Sequence, residues 1–387
     1  MRKEWDKTMT VAGLIFSNIH DNNVPELTHK RTMASVPYGG RYRLIDFTLS
    51  NMVNAGISKI GILTQYNYQS LLDHVGSGKD WDLSRSEGGL KILPPHITAY
   101  DSASRAAQNY THRLESLMGA YNFISKSKEE YFVLSDCDTV CNIDLRDVIN
   151  YHIENHADVT MVAKNTYLTK EEAAGSTIIE TDENGKVVNL LYSPSNIEGH
   201  LNLCLNIFVL KREYLVNILL DAIARGYHSF TQDVIVRNKD IAKFMLYSKF
   251  DGYYASITSL DKYYKCSMDL LNQDIKAELF GIKNRPIFTK VKNFVPAKYL
   301  GDSCVKNSLI ADGCVIEGTV ENSIIFRGVK VGKGAVVKNS ILMQNTYVGD
   351  KANLNCVICD KNVVIKNGRT LSGHETHPFS IGKGTVI

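Results

Sequence analysis

The stretch VENSIIFRGVKVGKGAVVKNSILMQNTYVGD, Val320 to Asp350, carries aliphatic residues at intervals of six. Ile325, Val331 and Val337 form one series; Val336, Leu342, Val348 and Leu354 form another, and Leu309 and Val315 extend the pattern upstream. Glycine, aspartate and asparagine fill the gaps. Strands repeat every two residues and helices every 3.6. A six-residue repeat with turn residues between therefore predicts very short strands joined by corners, each coil stacking on the next as a parallel β-helix. A β-sandwich of short strands would alternate at period two and turn at longer intervals. The β-helix is placed at residues 296–387.

Upstream the period changes. VAGLIF (Val11 to Phe16), KIGILT (Lys59 to Thr64), YFVLS (Tyr131 to Ser135), DVTMVA (Asp158 to Ala163) and LNIFVL (Leu205 to Leu210) read as buried strands. Between them YRLIDFTLSNMVNAG (Tyr42 to Gly56), RLESLMGAYNFIS (Arg113 to Ser125) and LRDVINYHIENH (Leu145 to His156) have helical spacing, with Gly56 placed as a C-cap. This alternation predicts a doubly wound, mostly parallel α/β sheet over residues 1–250. IIETDENGKVVNLLY (Ile178 to Tyr192) reads as a marginal hairpin turning at Glu183 to Gly185. Residues 251–295, with the helical segment YKCSMDLLNQDIKAELFG, form a connector.

Composition narrows the function classes. The 387 residues are 44% hydrophobic and 22% charged with a formal charge of +3, too small a charge to argue for nucleic acid or an anionic membrane as partner. The opening MRKEWDKTMTVAGLIF lacks a signal-peptide core and no run approaches a membrane span, so a cytoplasmic protein is expected. Of eight cysteines only Cys356 and Cys359 make a C-x-x-C, with no second pair to complete a zinc site; reduced, buried thiols are expected.

In open α/β folds the loop after the first strand usually holds phosphates on closely spaced glycines. Here that loop, SNIHDNNVPELTHKR (Ser17 to Arg31), has none. Downstream, Asp136 and Asp138 of LSDCDTV lie past a strand at the sheet's carboxyl edge, where they can hold a metal or cap the following turn or helix.

VPYGGRYRLIDFTLSNMVNAGISKIGILTQY (Val36 to Tyr66), GSGKDWDLSRSEGGLKILPP (Gly76 to Pro95), EYFVLSDCD (Glu130 to Asp138) and the tail from Val320 to Asp350 resemble, in order, segments of the ADP-glucose pyrophosphorylases, the glucose-1-phosphate adenylyltransferase family. The resemblance implies a GT-A-like nucleotidyltransferase domain followed by a left-handed β-helix of hexapeptide repeats. It implies a reaction of ATP with glucose 1-phosphate giving ADP-glucose and pyrophosphate, with Mg²⁺. Such chemistry needs phosphate-cradling amides, cations and metal-binding carboxylates. Several of these are missing. Asn23 stands where the family's catalytic arginine is, and Met33 where its lysine is. Ser193 in YSPSN replaces a sugar-phosphate lysine, the Gly-Thr-Ala turn has no counterpart in NYTHRLESLMGAY, and Ser256 in GYYASITSLDKYY replaces a metal-binding aspartate. Asp21 adds a charge of the wrong sign for phosphate.

These departures imply a GlgD-type regulatory subunit, catalytically impaired, that assembles with a competent GlgC-type subunit as a heterotetramer, or as a homo-oligomer alone, in glycogen biosynthesis. No catalytic residue is assigned; Asp138 and Asp136 remain as metal candidates, with Mg²⁺ belonging to the assembled enzyme. Arg41 and Arg43 match family residues near an anionic effector site, so small phosphorylated effectors are expected there, although charges flanking a helix start read equally well as solvated. Gln65 and Trp81 match positions near the nucleotide base and regulatory loops; Trp81 also suits packing. Two readings stand against the regulatory one. An active adenylyltransferase would have to use Asp136, Asp138 and Lys30 or Arg31, and a nucleotide-sugar glycosyltransferase would use the D-x-D of Asp136 and Asp138. His374 and His377, which follow the repeats, are expected in a terminal strand or loop rather than in a hexapeptide acyltransferase site.

Overall fold

VAGLIF forms strand β1, Val11–Phe16, and its side chains part to opposite faces as a strand's must. Leu14 and Phe16 enter a cluster with Leu114, Leu117, Leu215 and Leu219, whereas Ile15 packs with Ile45, Leu49, Val148 and Ile149. Both faces are thus covered by helices, which is why the strand is apolar throughout rather than alternating. The computed structural model describes residues 10–94, 113–227, 229–238 and 241–387. Met1 to Met9, Pro95 and the first four residues of NYTHRLESLMGAY lie outside them.

Among the described residues nine strands make the main sheet. After β1 come β2 (Lys59–Leu63), β3 (Gly89–Leu93), β4 (Tyr131–Asp136), β5 (Val159–Leu168), β6 (Thr177–Thr181), β7 (Val187–Tyr192), β8 (Gly199–Lys211) and β9 (Phe244–Tyr247). The order is β7-β6-β8-β4-β1-β2-β3, with β5 on β8 and β9 on β5. Strands β3, β2, β1 and β4 are parallel, and β8 runs antiparallel to β4. Strands β6 and β7 form the marginal hairpin. Helix α1, Leu44–Asn54, crosses β1 closely enough that a Cβ on Gly13 would meet the Met52 sulfur at 2.5 Å. Gly56 follows it at φ +82°, a left-handed turn that glycine adopts without strain. Helix α2 spans Leu145–Glu154, capped by the Asp144 carboxylate. Residues 113–125 form two short helices, Arg113–Gly119 and Tyr121–Ser125, and the connector segment likewise breaks into Leu260–Met268 and Gln273–Phe280.

The tail is a left-handed parallel β-helix of three five-stranded sheets. Its inward residues are Ile325, Val331, Val337, Leu342, Val348, Leu354, Cys359 and Ile365, so the intervals run six, six, five, six, six, five, six. The shorter third interval shifts the register. Leu309, Val315 and Val336 consequently lie outside that interior and only partly buried, one residue away from the inward positions. One corner of each coil takes a left-handed residue: Asn307, Asn322, Asn339 and Cys356 stack at φ +40° to +53°. Asparagine tolerates this conformation better than most residues. Cys356 and Cys359 are buried in this scaffold, and all eight cysteines are free. His374 and His377 face one another across an exposed turn in the last coil.

A third apolar cluster joins the two domains: Met33, Tyr38 and Phe47 pack with Tyr263, Phe326, Ile341 and Ile358. Among the described residues no helix is long and apolar enough to cross a membrane.

Candidate active site and basic pocket

The glycine-free loop closes on itself through its polar side chains. Ser17 Oγ donates to the Leu63 carbonyl (2.8 Å), and Asn18 Oδ1 accepts from the Gln65 N–H (3.0 Å) and from Thr64 Oγ1 (3.2 Å). Asn18 Nδ2 donates to Asp21 Oδ2 at 2.7 Å, while Asp21 Oδ1 accepts the Met33 N–H at 2.6 Å. Asp21 is 4% exposed. Burial pushes its carboxyl up to about 7 against those two hydrogen bonds. This corrects the expectation that Asp21 presents a repelling charge to phosphate: it is an internal staple that takes up backbone and amide donors itself. Asn22 and Asn23 are exposed, and Met33 lies in the interdomain core.

Lys30 is exposed, but Arg31 is 2% exposed and donates to both carboxylate oxygens of Asp360 at 2.8 and 2.9 Å, and to the Leu27 carbonyl. Asp360 belongs to the β-helix. Arg31 therefore ties the two domains together, and the expectation that it could serve a phosphate is corrected on that ground.

At the end of β4, Asp136 is held by a guanidinium and an imidazole. Arg113 Nε donates to Oδ1 at 3.0 Å and Arg113 Nη2 to Oδ2, and His20 Nε2 lies 2.8 Å from Oδ2. Burial raises its carboxyl, but Arg113 and His20 outweigh that and hold it well below the usual carboxylate range. Asp138, 3.7 Å from His20, is raised instead by burial and by Asp136, with His20 opposing. Ser256 Oγ donates to Asp138 Oδ2 at 3.2 Å, and Asp138 Oδ1 is buried without a hydrogen bond among the described residues. Neither aspartate caps a helix, since α2 is capped by Asp144. His20 itself is raised, the two aspartates outweighing its burial.

His20, Asp136 and Asp138 offer one ligand atom each within 4.8 Å of one another. Mg²⁺ is usually held by one or two carboxylates plus phosphate oxygens. Here one carboxylate is already bound on both oxygens by a guanidinium, the other is biased toward its neutral form, and the facing group is a hydroxyl. The donor set does not fit Mg²⁺.

Beside this locked pair a cleft remains at the carboxyl ends of β1 and β2, lined by Asn18, Ile19, Thr64, Gln65 and Ser116. Trp81 is not among its lining residues: it is 1% exposed and packs edge-on against His74, ring centroids 5.7 Å apart. Ser193 sits at φ +41° after β7, its N–H bonded to the Ser176 carbonyl.

A second cavity opens between the domains, lined by Arg41, Arg43, His74, Lys292, Arg327 and Lys361. Arg43 is anchored by its Nη1 on Ser70 O (2.6 Å) and Oγ (2.8 Å), and Arg41 lies over the Tyr42 ring. Arg327 is 8% exposed, and its Nε has no hydrogen-bond partner among the described residues. The structure thus brings Arg41 and Arg43 together with three basic side chains, Lys292, Arg327 and Lys361, that sequence reasoning did not single out. His20, Arg113 and Asp360 were also missed. One signal was available for Arg327, a charged residue directly after the aliphatic pair Ile324 and Ile325 and Phe326 of the repeat.

Residues 24–273 match the family described as Nucleotidyl transferase, and residues 292–377 the family GlmU-like, C-terminal hexapeptide. The chain is 35% identical to the glycogen biosynthesis protein GlgD of Bacillus subtilis (97% of this chain, 96% of the relative). It is 37% identical to GlgD of Geobacillus stearothermophilus, covering 97% of each. The glucose-1-phosphate adenylyltransferase of Acetivibrio thermocellus is 31% identical over 97% of this chain and 88% of its own length.

Proposed function

The chain belongs to the nucleotidyltransferase family of GlgD proteins and glucose-1-phosphate adenylyltransferases, and from that premise we propose that it is a catalytically impaired GlgD-type subunit that raises or retunes the activity of a GlgC-type partner. The observation that carries this reading is the occupation of the phosphate loop by the protein's own groups. Asp21 takes the Met33 N–H and the Asn18 amide, and Arg31 is bound to Asp360. At an effective dielectric near 20, two charges about 4 Å apart interact by roughly 4 kcal/mol, so losing two phosphate-facing cations costs several kcal/mol of transition-state stabilisation. Each ~1.4 kcal/mol is about tenfold in rate.

The same locks weigh against the other two readings. An active adenylyltransferase would be left with Lys30 alone, Arg31 being bound to Asp360, and like a D-x-D glycosyltransferase it would need Asp136 free of Arg113. What the chain keeps intact is scaffold: the α/β sheet, the interdomain cluster and the β-helix. That supports a role in assembly, as a heterotetramer in the cytoplasm. The basic pocket supports a small phosphorylated effector on Arg41, Arg43, Lys292, Arg327 and Lys361, since guanidinium forks suit phosphate oxygens and Arg327 Nε makes no hydrogen bond among the described residues, its carboxylate neighbour Asp312 lying 4.0 Å away. Co-purification with a catalytic GlgC-type subunit tests the assembly. A stable complex with altered ADP-glucose synthesis is expected, and absence of a complex would remove the proposal.

A further inference from the structure

We propose that a dianion entering the basic pocket draws a proton onto Lys361 Nζ, so that anion occupancy and protonation of this lysine are a single linked event. The inference rests on the reading of that pocket as an anion site and adds a mode of regulation to it.

Charged groups face Lys361 from each element around it. The α/β domain contributes Arg31, Arg43 and Arg41, with His74 on the pocket wall; the connector contributes Lys292, and the β-helix Arg327. The carboxylates nearby are already engaged. Asp360 takes both Arg31 bonds and the Lys361 N–H at 2.6 Å. Asp46 takes the His74 ring at 2.6 Å on one oxygen and the Arg43 N–H at 3.0 Å on the other. Asp312 lies 4.0 Å from Arg327 and is half-exposed, where water screens it.

The pocket thus holds more positive groups than its own carboxylates can offset. A guanidinium does not release its proton in a protein, whereas a lysine readily does when crowded and desolvated. Relief therefore falls on the lysines: burial, Arg43 and Arg31, with Lys292, push Lys361 down to about 6 against the pull of Asp360, and Lys292 is itself lowered by burial and Arg43. His74 is also lowered, by burial, with Asp46 opposing. Near pH 7.5 the empty pocket then carries a neutral Lys361 amine. A dianion supplies the missing negative charge, and the amine takes one proton from solvent to become ammonium; the anion itself loses and gains nothing.

Sulfate is the suitable probe because it does not titrate near neutrality. Its binding to the full-length chain is measured by calorimetry at pH 7.5 in two buffers of unlike ionisation enthalpy. Uptake of between about one-half and one proton per sulfate is expected, with affinity falling as much as about tenfold per pH unit above neutrality. Lys361→Arg, which stays charged, is expected to bind sulfate with no uptake and little pH dependence. His74→Gln is expected to keep the uptake, and Lys361→Gln to bind weakly without it. Binding with no uptake in the unaltered chain, or uptake that survives in Lys361→Arg, overturns the linkage alone. No sulfate binding at any pH from 6 to 8 overturns the anion-site reading as well.

Discussion

Asp21 and Asp138 are buried carboxyls that the sequence presents as charges and the structure biases toward neutrality. For Asp21 the consequence for stability has a definite sign. Its carboxyl titrates at about 7 in the folded chain and near 4 when unfolded, so the folded state binds more protons between those values. Its contribution is full at acid pH and is lost as pH rises through 7. Urea denaturation at pH 5 and pH 8 is expected to show Asp21→Asn losing about 2–3 kcal/mol less than the unaltered chain over this interval. An equal loss in both would contradict the buried staple. Ser256→Asp restores a family-type carboxylate beside Asp138, yet with Arg113 on Asp136 it is expected to gain no Mg²⁺ affinity and to destabilise the chain by about 1–3 kcal/mol at pH 8. Melts with and without millimolar Mg²⁺ check this, recovery on adding Mg²⁺ being the contrary result. What was legible at this scale was loss: Asn23, Met33 and Ser256 could be read against the family pattern. What replaced the lost groups was not. The locks on Asp136 and Arg31 join residues far apart in the chain, and no local pattern announces them.

Among the elements, the six-residue period was enough to predict a β-helix and not enough to fix its register. Val336 and Val337 are both aliphatic, so only the five-residue third interval, set by the stacking of whole coils, decides which one enters the core. Leu342→Ala is accordingly expected to cost about 2–5 kcal/mol, and Val336→Ala well under 1 kcal/mol. Equal costs in chemical denaturation would restore the uniform period. Lys351 is exposed at φ +54°, a corner where most L-residues are strained by about 1–2 kcal/mol. Lys351→Gly is expected to stabilise the chain by about 0.5–1 kcal/mol, read from the denaturation midpoint at constant slope. In the α/β domain the central strands and helices α1 and α2 were legible because their apolar runs and caps are local. Breaks such as that between Arg113–Gly119 and Tyr121–Ser125 are decided by packing against the sheet, which the spacing of apolar residues does not record.

Over the whole molecule, the contact that most defines the relation of the two domains joins Arg31 to Asp360, 329 residues apart. Both are nearly buried. Asp360→Asn leaves the guanidinium without its counter-charge and is expected to destabilise the chain by about 3–5 kcal/mol, whereas Arg31→Met with Asp360→Ala should recover part of that loss. Scanning calorimetry reads both, and no destabilisation in Asp360→Asn would contradict a tight interdomain lock. The same bond withholds the Arg31 guanidinium from a phosphate at that loop, so the docking of the domains and the silence of the candidate site share one cause. ADP-glucose synthesis from ATP and glucose 1-phosphate with Mg²⁺, measured for this chain alone, for a GlgC-type partner alone and for the co-purified complex, decides whether the chain is a regulatory subunit. The chain alone should be slower than the partner by several orders of magnitude, with the complex differing from the partner in rate or effector response. A chain that matches the partner's rate by itself, or a complex indistinguishable from the partner, would contradict the account.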